Sequence, residues 1–298
     1  MAATLFAAMG LQAAYLTAPI IIDTVKVGDA GNLGDTSGTK GAGAVDYEYY
    51  ISTTEVTVGQ YTSFLNAVAT DKRAPSYILG LRASGIVRTD NGDGTYSYTA
   101  INENLPVSAI SFYDAMRFCN WLSTGDTETG VYMLNGGSSM DLIVRNDEAW
   151  AAGGIAITNL DEWYKAAYYQ GNGTYSRYAN GTNTAPTADE ANFLDSGIGT
   201  VTDADFGAAS YYGTFGQNGN VREWIEGISG SNAVYFRGGG FDTAVPNSAS
   251  NNSIYLPIRE YVNLGFRITS LQLIPEPGIC AAIFGTLALA IVVYRRRK

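Results

Sequence analysis

GQNGNVREW, residues Gly216 to Trp224, holds the key to the fold. Asn218, Gly219 and Asn220 form a turn sequence, because Gly and Asn tolerate the left-handed backbone that other L residues avoid. Backbone carbonyls converge in so tight a turn, and Glu223 follows three residues later. A hard cation seeks that arrangement of oxygens, at about 2.3–2.6 Å. The competing reading is a set of Asn and Asp residues that hydrogen-bond only their own backbone. Glu223 is flanked by Trp224, Glu55 by Val56 and Glu162 by Trp163. A carboxylate in such apolar company must be paired or bound by backbone donors to stay charged. Arg237 and Arg267 are the natural partners, so the three glutamates read as buried ion-pair staples, with a catalytic carboxylate pair as the alternative.

Outward from this turn the chain alternates short periodic segments with long connections rich in Gly, Asn, Ser and Thr. Tyr47, Tyr49 and Ile51 alternate as in a strand. In TVGQYTSFLNAVA, Thr57 is a helix N-cap, and Tyr61, Phe64, Leu65 and Val68 share one face. Ser111 and Asp114 form a capping box ahead of Ala115, Phe118, Cys119 and Leu122. NLDEWYKAAYYQG predicts a third helix, with Leu160, Trp163, Ala167 and Tyr168 facing inward and Gly171 as C-cap. Arg88 to Tyr98 reads as a hairpin around Asn91-Gly92-Asp93-Gly94. Residues 19–44 read as an N-terminal strand and linker, the linker-like part being 28–44, rich in Gly, Asp and Thr, and no long repeat occurs.

Composition narrows the chemistry. The chain has 35 Gly, 21 Tyr and only 15% charged residues, which describes a loop-rich, aromatic-rich fold. It has no histidine, so serine-histidine and cysteine-histidine nucleophiles and histidine-ligated zinc, copper or iron are excluded. Its two cysteines, Cys119 and Cys280, stand in different segments, and Cys119 reads as a small buried apolar residue. Without Glu276 and the last four cations, 14 basic residues face 27 acidic ones, a net charge of −13. Such a surface repels phosphate backbones, so nucleic acid is not expected as a partner.

Four segments in order carry a family resemblance: YYISTTEVTVGQYTSFLNAV (Tyr49 to Val68), LPVSAISFYDAMRFCNWL (Leu105 to Leu122), NLDEWYKAAYYQG (Asn159 to Gly171), and GQNGNVREW followed by FRGGGF and NLGFRI. Together they resemble the formylglycine-generating, sulfatase-modifying-factor family. The resemblance implies an α+β, C-type-lectin-like domain over residues 45–270 with low regular secondary structure. It also implies two structural calcium sites. One would use the carbonyls of Gln217, Gly219 and Val221 and the carboxylate of Glu223, with Gly216 standing where the family has a side-chain ligand. The other would use Asn192, the Phe193 carbonyl and Asp203 or Asp205. The family's copper-binding cysteines fall at Thr243 and Ser248, whose hydroxyls do not replace thiolates. No copper is therefore expected. A non-catalytic member follows; the alternative is an oxidase of the formylglycine-generating type, or another modifying enzyme, with altered chemistry.

Both ends read as export signals. Residues 1–18 are apolar and rich in small residues, with Ala13-Ala14 and Ala18 as cleavage positions, but carry no initial Lys or Arg. They read as a truncated signal peptide rather than a buried first strand. At the other end Pro275, Glu276 and Pro277 precede an uncharged run over 278–294, then Arg295, Arg296, Arg297 and Lys298. This string resembles the PEP-CTERM sorting signals that an exosortase recognises and removes. Seventeen apolar residues are at the lower limit for a transmembrane helix across a core of about 30 Å, and the cations hold that end in the cytoplasm. The expectation is a protein exported across the inner membrane, anchored until processed, then placed at the cell surface or in the extracellular matrix. There its loops would contact exopolysaccharide or a surface protein.

Overall fold

The computed structural model describes residues 20–230, 233–244, 248–249 and 253–274. The expected signal peptide, the Pro275-Glu276-Pro277 motif, the 278–294 span and the Arg295–Arg297 cluster lie outside the described residues. No helix among the described residues is long and apolar enough to cross a membrane.

Two four-stranded sheets and a hairpin carry the domain. The first sheet has the order β1 (Thr24–Val27), β2 (Tyr49–Ser52), β10 (Ile268–Ser270), β5 (Ala156–Ile157), with every pairing antiparallel. The second has the order β8 (Ser253–Tyr255), β7 (Ala233–Arg237), β6 (Arg222–Ser229), β9 (Leu264–Phe266), with β6 and β9 parallel. Strands β9 and β10 are separated by Arg267 alone, so that residue sits where the chain passes from one sheet to the other. The expected hairpin forms from β3 (Ile86–Asp90) and β4 (Tyr96–Ala100). Gly92 and Gly94 turn it with φ of 78° and 95°.

The helices begin where their caps predict. Helix α1 (Val58–Val68) starts from a Thr57/Gln60 capping box, and a single turn, α2 (Ser76–Leu79), follows. Helix α3 (Phe112–Thr124) starts from Ser111/Asp114 and stops at Gly125, left-handed at φ 81°. After the short α4 (Asp147–Ala151), helix α5 (Leu160–Tyr168) starts from Asn159/Glu162. Each box satisfies two amide N–H groups that the first turn leaves open, worth about 1 kcal/mol. The α5 C-cap is Tyr169, extended, rather than Gly171; Gly171 takes φ 70° two residues later.

The apolar faces meet in one main core. Phe118 of α3 packs edge-on to Phe64 of α1 at 5.4 Å and to Phe266 of β9 at 5.5 Å. Trp224 and Trp163 are fully buried core aromatics. Cys119 is buried in the same core, and burial pushes its thiol pKa well up.

Residues 28–44 are not a linker. Asp35 is buried; it caps the turn through Ser37 and Gly38 and accepts from the Tyr164 hydroxyl of α5. Strand β1 pairs with β2, so the domain begins well before Val45. Polar, glycine-rich composition misleads here because its polar groups are satisfied by long-range partners that sequence does not reveal.

Candidate functional site

The turn at 216–220 closes against two glutamates. Glu223 leaves β6 fully buried and is held by Arg267: Nε donates to Oε2 at 2.5 Å and Nη2 to Oε1 at 2.8 Å. Trp163 Nε1 adds a bond to Oε2 at 2.8 Å. Arg267 also donates to the carbonyls of Ser52 and Phe215, tying β2 and the 215 loop to the junction of the two sheets. Oε1 of Glu223 carries one protein bond and keeps further accepting capacity.

Glu55 lies against the same turn with no counter-charge paired to it. It is fully buried, and neither carboxylate oxygen has a hydrogen bond. Burial, reinforced by the nearby Glu223 charge, raises its pKa to about 8, against the pull of Arg267 and of the Glu55 and Val221 backbone N–H groups, which face the carboxylate without forming well-aligned bonds. Its oxygens press on Gly216, where φ is 82° and an added Cβ would come within 2.4 Å of both. The space that a side-chain ligand at position 216 would need is thus filled by the Glu55 carboxylate.

Of the expected staples, only Glu223–Arg267 forms as read. Glu162 pairs with Arg145 at 2.9 Å, and Arg145 also reaches Glu226 at 3.2 Å. Tyr47 and Tyr132 hydroxyls complete that network on Glu162 and Glu226. Arg237 contacts no carboxylate among the described residues; it donates to the Ala249 carbonyl and the Thr39 hydroxyl. Sequence reasoning missed Arg145 and Glu226. The Asn159-x-x-Glu162 capping box was a readable sign that Glu162 had local work, but nothing local marks Arg145, which arrives from a loop.

The other expected calcium ligands are only partly assembled. Carbonyls of Gln217 and Val221 both approach Gly238, at 3.7 Å from its ideal Cβ position. Asn192 lies beside the turn: its carbonyl accepts from Asn220 N–H, and it packs so close to Gly219 that any side chain there would clash. Asn192 Nδ2 bonds Thr200 and Asn220, whereas Oδ1 is buried without a partner. Phe193 is mostly buried and its carbonyl accepts from Ser196 N–H. Asp203 and Asp205 are exposed. Among the described residues no three acidic or cysteine side chains cluster for a metal, so a cation would depend on Glu55, Glu223 and backbone oxygens. Glu55, buried without a counter-charge, is the acid that would have to hold a hard cation here, since Glu223 is already paired with Arg267.

Thr243, one of the two residues aligned by the resemblance with the family's thiols, sits in a polar cluster. Thr243 Oγ1 accepts from Arg222 Nη2 at 3.1 Å and from Gly240 N–H at 2.9 Å. Arg222 pairs with Asp242 at 2.8 Å, and Asn263 Nδ2 donates to the other Asp242 oxygen. Ser248 is buried. Across the Tyr261-to-Leu264 turn from Asn263, three rings stack against the main core: Phe236–Tyr255 at 4.3 Å and Tyr255–Tyr261 at 3.9 Å. Ile258 and Val262 flank the stack, 59% and 69% exposed.

Residues 29–270 match the sulfatase-modifying factor enzyme 1-like domain. The chain belongs to that family. Solved structures share the mixed helix and sheet fold of this family member. CarF is 26% identical, covering 85% of this chain and 99% of its own, with a TM-score of 0.59. Treponema denticola variable protein 1 is 19% identical over 84% and 95%, TM-score 0.54. PvdO from Pseudomonas aeruginosa is 13% identical over 85% and 98%, also at 0.54. No curated protein matches the chain in sequence.

Proposed function

We propose that this family member is an exported, non-catalytic binding module that takes a polysaccharide at the cell surface or in the extracellular matrix. The observation that carries this reading is the occupation of the thiol positions. Thr243 is fixed in a hydrogen-bonded Arg222–Asp242–Asn263 cluster beside a three-ring aromatic stack. Hydroxyls so engaged offer no soft-metal or redox centre. Tyr255 and Tyr261, half-buried at the edge of the core near these planar polar side chains, instead suit the C–H faces and hydroxyls of a sugar through the ring surface they leave open. The strongly acidic body favours neutral glycans, or acidic ones bridged by a cation, over phosphate polymers.

Calcium is the cation we assign to the Glu55 side of the turn, as a structural ion with Glu223 and the carbonyls of Gln217, Gly219 and Val221. The C-terminal string acts as the sorting address, read by an exosortase-type protease, with the membrane as a transient partner. Deleting Arg295 to Lys298 should leave the protein unprocessed; normal sorting of that form would remove the address from the account.

The test of function is a calcium-dependent pull-down on exopolysaccharide and a glycan array with the full chain. Saturable binding lost in Tyr261→Ala and Arg222→Ala supports the proposal. Absence of binding, together with turnover of an ester or glycoside that Glu223→Gln abolishes, would replace it with an enzyme.

A further inference from the structure

Two Asn-Gly-Thr triplets, Asn172-Gly173-Thr174 and Asn180-Gly181-Thr182, follow α5 on one stretch of loop. An Asn-x-Ser/Thr triplet is the acceptor signal for N-linked sugar, usable only where solvent leaves room for a bulky group. Identical in sequence, the two are separated by their surroundings.

Asn172 stands at an open tip. Asn172, Gly173 and Thr174 are all exposed, and Gly173 turns the chain at φ 82° with nothing within 4 Å of an added Cβ. The base of the tip is fixed: Tyr169 and Tyr175 bridge it, and the Gly173 N–H donates to Tyr169 Oη at 3.1 Å. Asn172 Oδ1 accepts from Thr174 N–H at 3.0 Å and from Thr174 Oγ1 at 2.6 Å. The carboxamide is thus held by its oxygen, and Nδ2 donates to no group among the described residues. A hydroxyl donated to Oδ1 also draws electron density from the amide, which loosens a proton on Nδ2. Beside the tip, Tyr211 is 57% exposed and reaches Gly171 so closely that an added Cβ there would come within 2.3 Å of its Oη. Its open ring offers the apolar face of a sugar a surface to rest on.

Asn180 is less well placed. It is half-buried, and Thr182 Oγ1 lies 3.1 Å from Asn180 Oδ1 and 2.9 Å from the Thr184 carbonyl, so one proton serves two acceptors. An added Cβ on Gly181 would meet Gln170 Oε1 at 3.3 Å. The competing fate of an Asn-Gly pair is cyclisation by the glycine nitrogen with loss of ammonia. At Asn172 that nitrogen is engaged through its N–H by Tyr169.

We propose that Asn172 is an N-glycosylation acceptor that takes its sugar from an activated donor of the sugar-diphosphate class. Nδ2 attacks the anomeric carbon, and the new N–C bond forms as the C–O bond to the diphosphate breaks. The diphosphate leaves with the electron pair, and the Nδ2 proton passes to a carboxylate of the transferase. Modification here is separate from glycan capture, and neither requires the other.

The test is glycopeptide mass spectrometry on the full chain recovered from the cells that make it and from their medium. Asn172 should carry sugar in most copies and Asn180 in a smaller share. Asn172→Gln and Thr174→Ala should each lose the Asn172 sugar, whereas Thr174→Ser, which keeps the hydroxyl, should retain it. Loss of the sugar when polyprenyl-phosphate charging is inhibited supports the proposal with a lipid-linked donor, and persistence supports it with a nucleotide-linked one. Bare Asn172 in every fraction, an Asn172 altered only by deamidation, sugar that survives Asn172→Gln because it sits on Thr174, or heavier occupancy of Asn180 would overturn the assignment.

Discussion

Glu223 and Glu55 meet at one turn, equally buried, yet they are treated in opposite ways. Glu223 receives three charge-directed donors from Arg267 and Trp163. Glu55 has no charged donor bonded to it, and burial beside the Glu223 charge raises its pKa. Burial is common to both, so the difference lies in supply of donors. The first carboxylate is structural scaffolding that the protein completes by itself, and the second is a buried acid that the protein leaves without a paired cation. Arg237 repeats the lesson with the opposite charge.

Breaking the completed side should have the largest effect. Arg267→Met strands Glu223 and should cost about 3–5 kcal/mol in denaturant unfolding; a loss below about 1 kcal/mol would show that the pair is not the staple described. Trp163→Phe keeps a buried ring while removing one donor, and about 1.5–3 kcal/mol is expected from the same measurement.

The uncompleted side is sharpened by pH and metal. With its pKa raised to about 8 in the fold against roughly 4.3 unfolded, Glu55 binds its proton more tightly when folded. Its contribution is complete below about pH 4 and is lost as pH rises toward 8. In chelator, the melting temperature of the native protein should therefore fall over this range relative to Glu55→Gln. Added calcium should flatten that difference by favouring the ionised form, and a pH-independent difference with no calcium response would sink the cation assignment. The smallest effect on stability belongs to the surface. Arg222→Ala breaks a partly exposed pair and should cost under about 1 kcal/mol while abolishing glycan capture. Intact capture would place the ligand elsewhere.

Much of the scaffold was legible. Ser111/Asp114 and Thr57/Gln60 boxes begin helices, and the Asn91-to-Gly94 turn closes its hairpin, because caps and turns are local chemistry read within four residues. The site was less legible. Glu55, Glu162 and Glu223 share one sequence context, an acid beside an apolar residue, and the chain alone does not say that Arg145 takes one, Arg267 another and nothing the third. The 28–44 segment failed for a related reason: Asp35 finds Tyr164 from 129 positions away.

Sequence by itself determined the family, the caps, the absence of histidine and the hydroxyl residues at Thr243 and Ser248, since each depends on residue identity or spacing. Tertiary structure decided which buried charges are paired. Ion pairing depends on which side chains arrive within about 4 Å, and here the partners come from distant strands and loops. The missing counter-charges at Glu55 and Arg237 are visible only in three dimensions, where desolvation makes a lone buried charge costly.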